Sequence, residues 1–456
     1  MSILSKLKDT WRTDPLLRRV VKNSSHLFSS SAIGALLGFA QGILAARLIG
    51  VPALGLVTTV TTFASNINRF LTFRMSEVVV KRLNASLAEG KKDEGAAAVK
   101  AALLIEIATS MVAYLVLLAL SGWAARTFAA DFLSDPLTVT LFSFYGLILL
   151  TNLATETSTG VLQAARRFHW IARLTILQNL TTAAIILYAF VFQRGVYEIV
   201  LAYVIGKTIN GLGLALLAQI ELRSLLGADW WKTSLRLLPE KRAMFTFMLN
   251  TNLNGTVNLF TRDNFPLYVA WLLSSTQVGY YRLAQMLINF IILPLDPLIW
   301  PTYAEITQTI AKKQWDATRR ILSRVSIITG SIVLAVGLGL ALTGWFLLPF
   351  FYGPQAAPAY PVLLILLVGY GFASVFQWNR PLLLALGKPG YPVLIALLVG
   401  LIELTLMFTL VPSTDSMLLL AAIFAGYFVI SVGLTAWRGV TEINRQTHSS
   451  LATNKN

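Results

Sequence analysis

The chain has 456 residues, of which 56% are hydrophobic and 13% are charged. Soluble domains carry about 25% charged residues, so this composition excludes a water-soluble globular protein and predicts a chain that is solvated by lipid. The absence of cysteine excludes disulfides, iron–sulfur clusters and thiol catalysis. The formal net charge is +16, but the cations are spread over many loops, so we expect no binding of nucleic acid. The three histidines lie far apart in the sequence, and we expect neither a metal site nor a cofactor.

Twelve apolar stretches are long enough to cross a bilayer, whose hydrocarbon core of roughly 30 Å requires about 20 helical residues. They lie at residues 24–49, 53–80, 97–121, 137–162, 172–193, 197–220, 243–272, 276–304, 322–350, 358–386, 390–412 and 416–437. Most of the 37 lysines and arginines fall in alternate loops, and the opposite loops hold only Arg126 and Arg194. Because positive loops resist translocation, we predict an all-α polytopic membrane protein with both termini in the cytoplasm.

In the first half of the chain, charged residues occur within the second and fourth stretches. Arg69 and Arg74 lie in the second, and Glu77 follows Arg74 at the three-residue spacing that favours an ion pair. The fourth stretch carries Glu156 among asparagine and threonine residues. An arginine at membrane depth is costly unless it faces protein or water, so we expect Arg69 and Arg74 to line a wet cavity.

The second half of the chain repeats the first. A shift of 224 positions places Leu48–Leu83 over Leu272–Thr307 and Gly55 over Gly279. Since each half has six stretches, the two copies run in the same direction through the membrane, as in transporters with parallel repeats. We predict two six-helix lobes, residues 1–222 and 243–456. Residues 223–242 form a cytoplasmic linker, with an interfacial helix as the alternative that its tryptophans suggest.

The seventh stretch has a polar face. Asn250, Asn254, Asn258 and Arg262 recur every four residues and therefore share one side of a helix. Pro266 then removes the helical hydrogen bond to the carbonyl of residue 262, which is tolerated where neighbours or water satisfy that group. We predict that this face lines the cavity.

The eighth stretch continues the pattern with Arg282, Gln285 and Asn289, followed by Asp296, and Arg380 lies near the cytoplasmic end of the tenth. A single asparagine in a span more often holds helices together, whereas arginines on shared polar faces favour a functional role. Guanidinium groups match phosphate oxygens, and amides and hydroxyls suit sugars. The predicted substrate is therefore anionic and sugar-bearing.

Three features resemble the Wzx-like oligosaccharide flippases of the multidrug/oligosaccharidyl-lipid/polysaccharide exporter superfamily. They are the twelve stretches in two halves, the exit Ala46–Gly50 with its turn Pro52–Gly55, and the segment Leu162–Arg167 before the fifth stretch. The resemblance implies that the protein moves polyprenyl-diphosphate-linked glycan units, such as those of the O-antigen of lipopolysaccharide, from the cytoplasmic to the periplasmic leaflet of the bacterial inner membrane. It also implies alternating access, a monomer in contact with membrane lipid, and a polymerase and glycosyltransferases as partners.

Under this resemblance the arginines would bind the diphosphate, and the asparagines would contact sugar. Coupling to H⁺ or Na⁺ would use one of four carboxylates, and their spacing selects none of them: Glu77, Glu156, Asp263 and Asp296. Glu106 and Glu403 are isolated carboxylates in the third and eleventh stretches, and we rank both below these four.

Two alternatives stay open at this stage. One is an ion-coupled multidrug exporter of the same superfamily. Similar exporters have an essential acidic residue in the first span, whereas the first stretch of this chain contains no aspartate or glutamate, which disfavours this alternative. A membrane glycosyltransferase or polymerase would need a sizeable loop with clustered polar groups, and the outer loops are short. We therefore predict a transporter rather than an enzyme.

Overall fold

The computed structural model describes residues 15–73, 75–238 and 255–453, and every regular element in these ranges is helical. The α-helices of the first part are α1 (Pro15–Leu71), α2 (Met75–Ala88), α3 (Lys92–Phe128), α4 (Leu137–Tyr145), α5 (Leu147–Thr151), α6 (Thr155–Ala164), α7 (Phe168–Val191) and α8 (Val196–Leu226). Those of the second part are α9 (Phe265–Leu272), α10 (Ser275–Leu295), α11 (Ile299–Ala311), α12 (Trp315–Tyr352), α13 (Ala359–Val375), α14 (Asn379–Ala385), α15 (Gly390–Thr414) and α16 (Met417–Thr453). A π-helix precedes α9 at Leu259–Asp263.

Ten helical segments in the described ranges are long and apolar enough to cross a membrane, compared with twelve predicted stretches. The first stretch and most of the second lie in α1, which consists of two helical segments that meet at Gly50, with φ 74° and ψ 172°. Glycine adopts this positive φ without a steric penalty, and the chain therefore turns there. The seventh stretch begins in residues 239–254, which lie outside the described ranges. Its described remainder is residues 255–272, which comprise a helical turn at 255–258, the π-helix and α9.

Left-handed turns recur at equivalent positions of the two halves, as the predicted repeat requires. Three pairs of residues with positive φ lie 221 to 223 positions apart: Gly90 and Lys313, Arg166 and Gly387, and Gln193 and Asp415. Each pair occupies the loop that follows corresponding helices. The parallel repeat is thus confirmed by local backbone geometry.

An ion pair recurs with the same spacing. Arg167 Nε lies 2.7 Å from Glu221 Oε1, and Lys388 Nζ lies 2.7 Å from Glu442 Oε2. Both partners of the second pair stand 221 positions after those of the first. In each half, the loop after the fourth stretch is therefore held to the last helix.

The chain forms two compact units. Unit 1 comprises Met1–Gln41, Ile67–Leu120 and Ser143–Asn252, and unit 2 comprises Gly42–Asn66, Ser121–Phe142 and Leu253–Asn456. The partition into lobes at residues 222 and 243 stays a prediction.

The core of unit 1 surrounds α2 and α6, where Met75, Leu83 and Leu162 are fully buried. Trp230 of the predicted linker is 5% exposed and belongs to this core, whereas Trp231 is 55% exposed. The described part of that linker beyond α8 contains two 3-10 turns, Trp230–Lys232 and Leu235–Leu237.

In unit 2, α1 and α10 approach each other through glycines related by the repeat. A Cβ atom on Gly55 would overlap the carbonyl oxygen of Ser275, and one on Gly279 would overlap the carbonyl oxygen of Val51. Small residues allow such backbone contact between helices in a membrane. The Asp131 carboxylate adds a bond across the same region, accepting the Ser275 N–H at 2.9 Å.

Candidate functional site

Four predicted stretches are interrupted at repeat-related positions. The second breaks at Thr72–Phe73 and the eighth at the 3-10 turn Asp296–Leu298, while the fourth breaks at Asn152–Ala154 and the tenth at Phe376–Trp378. Irregular backbone at membrane depth is tolerated where it lies against protein or a wet cavity, and discontinuous helices commonly form substrate sites in transporters. The breaks thus mark the regions where polar groups can act.

Arg262 lies on the π-helix. The defining hydrogen bond runs from the Asn264 N–H to the Leu259 carbonyl at 3.0 Å, and Pro266 follows in the first turn of α9, where its missing N–H costs least. Single π-turns occur frequently at functional sites. The helix is therefore irregular around Arg262, immediately before the proline that removes the hydrogen bond to its carbonyl.

The Arg262 guanidinium is exposed and stacks on an aromatic face. Its central carbon lies 5.5 Å from the centroid of the Phe428 ring, a cation–π contact. It also lies within electrostatic range of Asp296. The ring therefore supports one face of the guanidinium, and the side chain remains exposed.

Arg282 is oriented by a chain of hydrogen bonds through Gln285 and Tyr281 to Tyr370. We call these four residues, together with Arg262, the arginine–tyrosine network. Arg282 Nη1 donates to Gln285 Oε1 at 3.2 Å, and Gln285 Nε2 donates to the Tyr281 hydroxyl at 3.3 Å. The Tyr281 hydroxyl lies 3.4 Å from that of Tyr370. Arg262 and Arg282 both lie within electrostatic range of Tyr281, so the network brings two predicted cations to one place.

An aromatic block supports this network. The rings of Phe265 and Phe424 stack with centroids 3.8 Å apart, and the ring of Tyr370 lies 4.8 Å from that of Phe428. Tyr281 lies at the centre of this block and is 2% exposed. Since packed aromatic rings have few alternative positions, the block fixes the ring beneath Arg262.

The other predicted substrate-binding residues have varied positions. Arg69 is exposed in the last turn of α1, Asn289 is exposed on α10, and Arg380 is exposed in the first turn of α14. Asn258 is half-buried immediately before the π-helix. Three predicted residues lie outside the described ranges: Arg74, Asn250 and Asn254.

The four candidate coupling carboxylates lie on four different elements. Glu77 is exposed in the first turn of α2, Asp263 is half-buried on the π-helix, and Asp296 is exposed at the break after α10. Glu156 is half-buried and accepts a hydrogen bond from Ser76 Oγ at 2.6 Å. Among the described residues, no group of three or more acidic or histidine residues could hold a metal ion.

Sequence reasoning ranked Glu106 low, and the structure gives it a definite structural place. It is 3% exposed, and its two carboxylate oxygens accept the N–H groups of Glu156 at 2.8 Å and Thr157 at 2.9 Å. These are free amides at the start of α6, where a negative charge is stabilising. Glu106 therefore caps the broken fourth stretch.

Comparison with known proteins gives one family and a common fold. A family model described as polysaccharide biosynthesis protein matches residues 43–361, more than half of the chain. The inner membrane protein YghQ of Escherichia coli (strain K12) is 23% identical over 358 residues, which are 77% of this chain and 98% of that protein.

Two solved structures share the fold at low identity. An inward-facing multidrug resistance MATE family transporter of the MOP superfamily superposes with a TM-score of 0.71 at 13% identity, covering 91% of this chain and 96% of its own. The lipid II flippase MurJ, in an inward closed conformation, gives a TM-score of 0.67 at 14% identity, with 93% and 91% covered. The predicted fold class, an all-α polytopic membrane protein, is thereby confirmed.

Proposed function

We propose that this chain, which belongs to the polysaccharide biosynthesis protein family, is a flippase for polyprenyl-diphosphate-linked glycan units. In this proposal it carries them from the cytoplasmic to the periplasmic leaflet of the bacterial inner membrane, with both termini in the cytoplasm. The loop charges support this orientation, and the relative from Escherichia coli is itself described as an inner membrane protein. The lipid II flippase of the same fold supports a lipid-linked cargo.

The observation that carries the proposal is the arginine–tyrosine network of unit 2. Arg262 presents an exposed guanidinium that is backed by an aromatic ring, and Arg282 is oriented through Gln285. Two guanidinium groups suit the two phosphate groups of a diphosphate, because each can donate two parallel hydrogen bonds to phosphate oxygens. The hydroxyl and amide groups of the network can exchange hydrogen bonds with sugar hydroxyls.

The mechanism that we propose is alternating access. Binding energy can shift a conformational equilibrium only if the ligand has different affinities for the two states. Arg262 meets this condition because its partners, Phe428 and Asp296, lie on different helices. A movement of α10 or α16 would change the environment of the guanidinium and thus its affinity for phosphate.

In this proposal the polyprenyl tail stays in the bilayer, and a polymerase and glycosyltransferases act before and after this step on the same glycan. We expect the flippase to act as a monomer.

The test is transport in proteoliposomes with a fluorescent polyprenyl-diphosphate-linked sugar. Arg262→Gln and Arg282→Gln should each reduce the flipping rate about tenfold or more, because a hydrogen bond to a charged group contributes about 1.5–3 kcal/mol. Arg126→Gln is the matched control: this exposed arginine lies at the end of α3 and donates to the Gly122 carbonyl of its own helix at 3.2 Å.

Four outcomes separate the candidate functions. Loss of flipping in the two network variants and normal flipping in the control would support the diphosphate role. Full activity of both network variants would refute it. Transport of cationic drugs by the wild type, unaffected by either substitution, would favour a multidrug exporter, and sugar-transfer activity in the purified protein would favour an enzyme.

A further inference from the structure

The buried carboxyl group of Glu403 differs in its environment from the other acidic residues that the sequence analysis named. It lies in the middle of α15 and is 3% exposed. Neither of its carboxylate oxygens has a hydrogen-bond partner among the described residues. Glu106 has the same 3% exposure, but both of its oxygens accept backbone N–H groups. Equal burial therefore accompanies opposite degrees of hydrogen bonding.

The hydroxyl groups near Glu403 are already committed elsewhere. Tyr268 of α9 and Tyr427 of α16 lie within electrostatic range of the carboxyl. The Tyr268 hydroxyl, however, donates to the Phe260 carbonyl at 2.8 Å, and the Tyr427 hydroxyl donates to Thr261 Oγ1 at 3.0 Å. Each of these protons stabilises the π-helix and is not directed to the glutamate.

The elements packed against α15 carry charged groups in three places. The π-helix supplies Arg262 and Asp263, and α14 supplies Arg380 in its first turn. The second half of α16 supplies Arg438, Glu442 and Arg445. Arg262 lies within electrostatic range of Tyr427, which is also in range of Glu403. A Cβ atom on Gly400, one helical turn before Glu403, would overlap the side chain of Thr261, which precedes Arg262. The turn that carries the carboxyl group therefore packs beside the segment that carries the guanidinium, although Glu403 forms no hydrogen bond to the arginine.

An ionised carboxylate that is buried without a partner costs several kcal/mol, and the usual response is to bind a proton. We propose that Glu403 is a proton-binding site and that its proton and the anionic head group at Arg262 bind together. The physical reason is that a negative ligand at Arg262 makes a second negative charge nearby less favourable. By reciprocity, protonation of Glu403 strengthens the binding of the anion by the same factor. This inference rests on the proposed function, since it takes the diphosphate site at Arg262 as given.

The first measurement detects the protonated carboxyl group directly. Infrared spectroscopy of the purified full-length protein at neutral pH should show the carbonyl stretch of a protonated carboxyl group. Glu403→Gln should remove this band, and the matched variant Glu106→Gln should keep it, because the Glu106 oxygens already accept two amides. Absence of the band in the wild type, or its persistence in Glu403→Gln, would overturn the proposal.

The second measurement tests the coupling with a short-chain polyprenyl diphosphate as the probe. In the wild type, the affinity for the probe should fall about fivefold or more as the pH is raised until the infrared band disappears. In Glu403→Gln, which is permanently neutral, the affinity should stay at the low-pH value of the wild type throughout.

The two hypotheses fail in different ways. Failure of the wild type to bind the probe at any pH would refute the diphosphate site. Binding that is equally dependent on pH in the wild type and in Glu403→Gln would leave that site intact and would overturn the role of Glu403. Stabilisation of the wild type by Na⁺ without a protonated-carboxyl band would also overturn it.

Discussion

Substitution of Gly55 by alanine tests the closest helix contact of unit 2. The added Cβ would overlap the Ser275 carbonyl oxygen, which is a backbone atom and cannot rotate away. Overpacking of this kind typically costs 1–3 kcal/mol, and the upper part of that range applies because a helix must shift. The higher helix propensity of alanine returns about 1 kcal/mol. We therefore expect Gly55→Ala to destabilise the protein by about 2 kcal/mol.

Gly339→Ala is the matched control. Gly339 also lies inside a long helix, α12, but a Cβ there would meet nothing within 4 Å. Only the propensity term remains, so this variant should gain up to about 1 kcal/mol. The two alanine variants should thus differ by about 3 kcal/mol in the free energy of unfolding.

The assay is unfolding by a denaturing detergent titrated into protein in mild micelles, followed by tryptophan fluorescence. Gly279→Ala should behave like Gly55→Ala, because its Cβ would overlap the Val51 carbonyl oxygen in the equivalent way. If Gly55→Ala is as stable as Gly339→Ala, the backbone contact between α1 and α10 does not exist in the folded protein, and the reasoning from the repeat-related glycines is wrong.

Two further experiments test the polar contacts. Double-mutant cycles should give a larger coupling energy for Lys388 and Glu442 than for Arg167 and Glu221, because the side chain of Glu442 is 4% exposed and that of Glu221 is 15% exposed; equal or reversed couplings would contradict this. Asp131→Ala removes the carboxylate that accepts a helix-terminal amide at 2.9 Å and should cost about 1 kcal/mol, and an unchanged unfolding midpoint would show that water replaces the bond without loss.

The spans and the repeat could be predicted because they depend on composition over long windows. A run of about 20 apolar residues has few structural alternatives in lipid, and a shift that aligns Gly55 with Gly279 aligns the helices that carry them. The polar face around Arg262 was also accessible, since a central arginine cannot face lipid. These inferences required only the average properties of each segment.

The break in the tenth stretch and the roles of the tyrosines could not be predicted in this way. The break at Phe376–Trp378 contains two aromatic residues, and such residues read as the continuation of an apolar span. Tyr281 and Tyr370 likewise count as apolar in a hydropathy window, and their hydroxyl contact joins residues 89 positions apart. The role of Glu106 was hidden because its partners are backbone amides, which every residue type except proline carries.

The repeat also separates what the fold requires from what the site adds. At the 224-residue shift, Arg282 and Gln285 correspond to Thr58 and Thr61, whose hydroxyls donate to carbonyls of their own helix at 2.8 and 3.0 Å. The hydroxyl groups of those threonines are hydrogen-bonded within their own helix, so a helix in this position needs no arginine in order to pack. The ion pairs at the ends of each half recur in both copies and are therefore part of the shared framework. Arg282 differs from its counterpart in charge and length, and a costly cation that the shared framework does not require favours the proposed role in binding an anionic ligand.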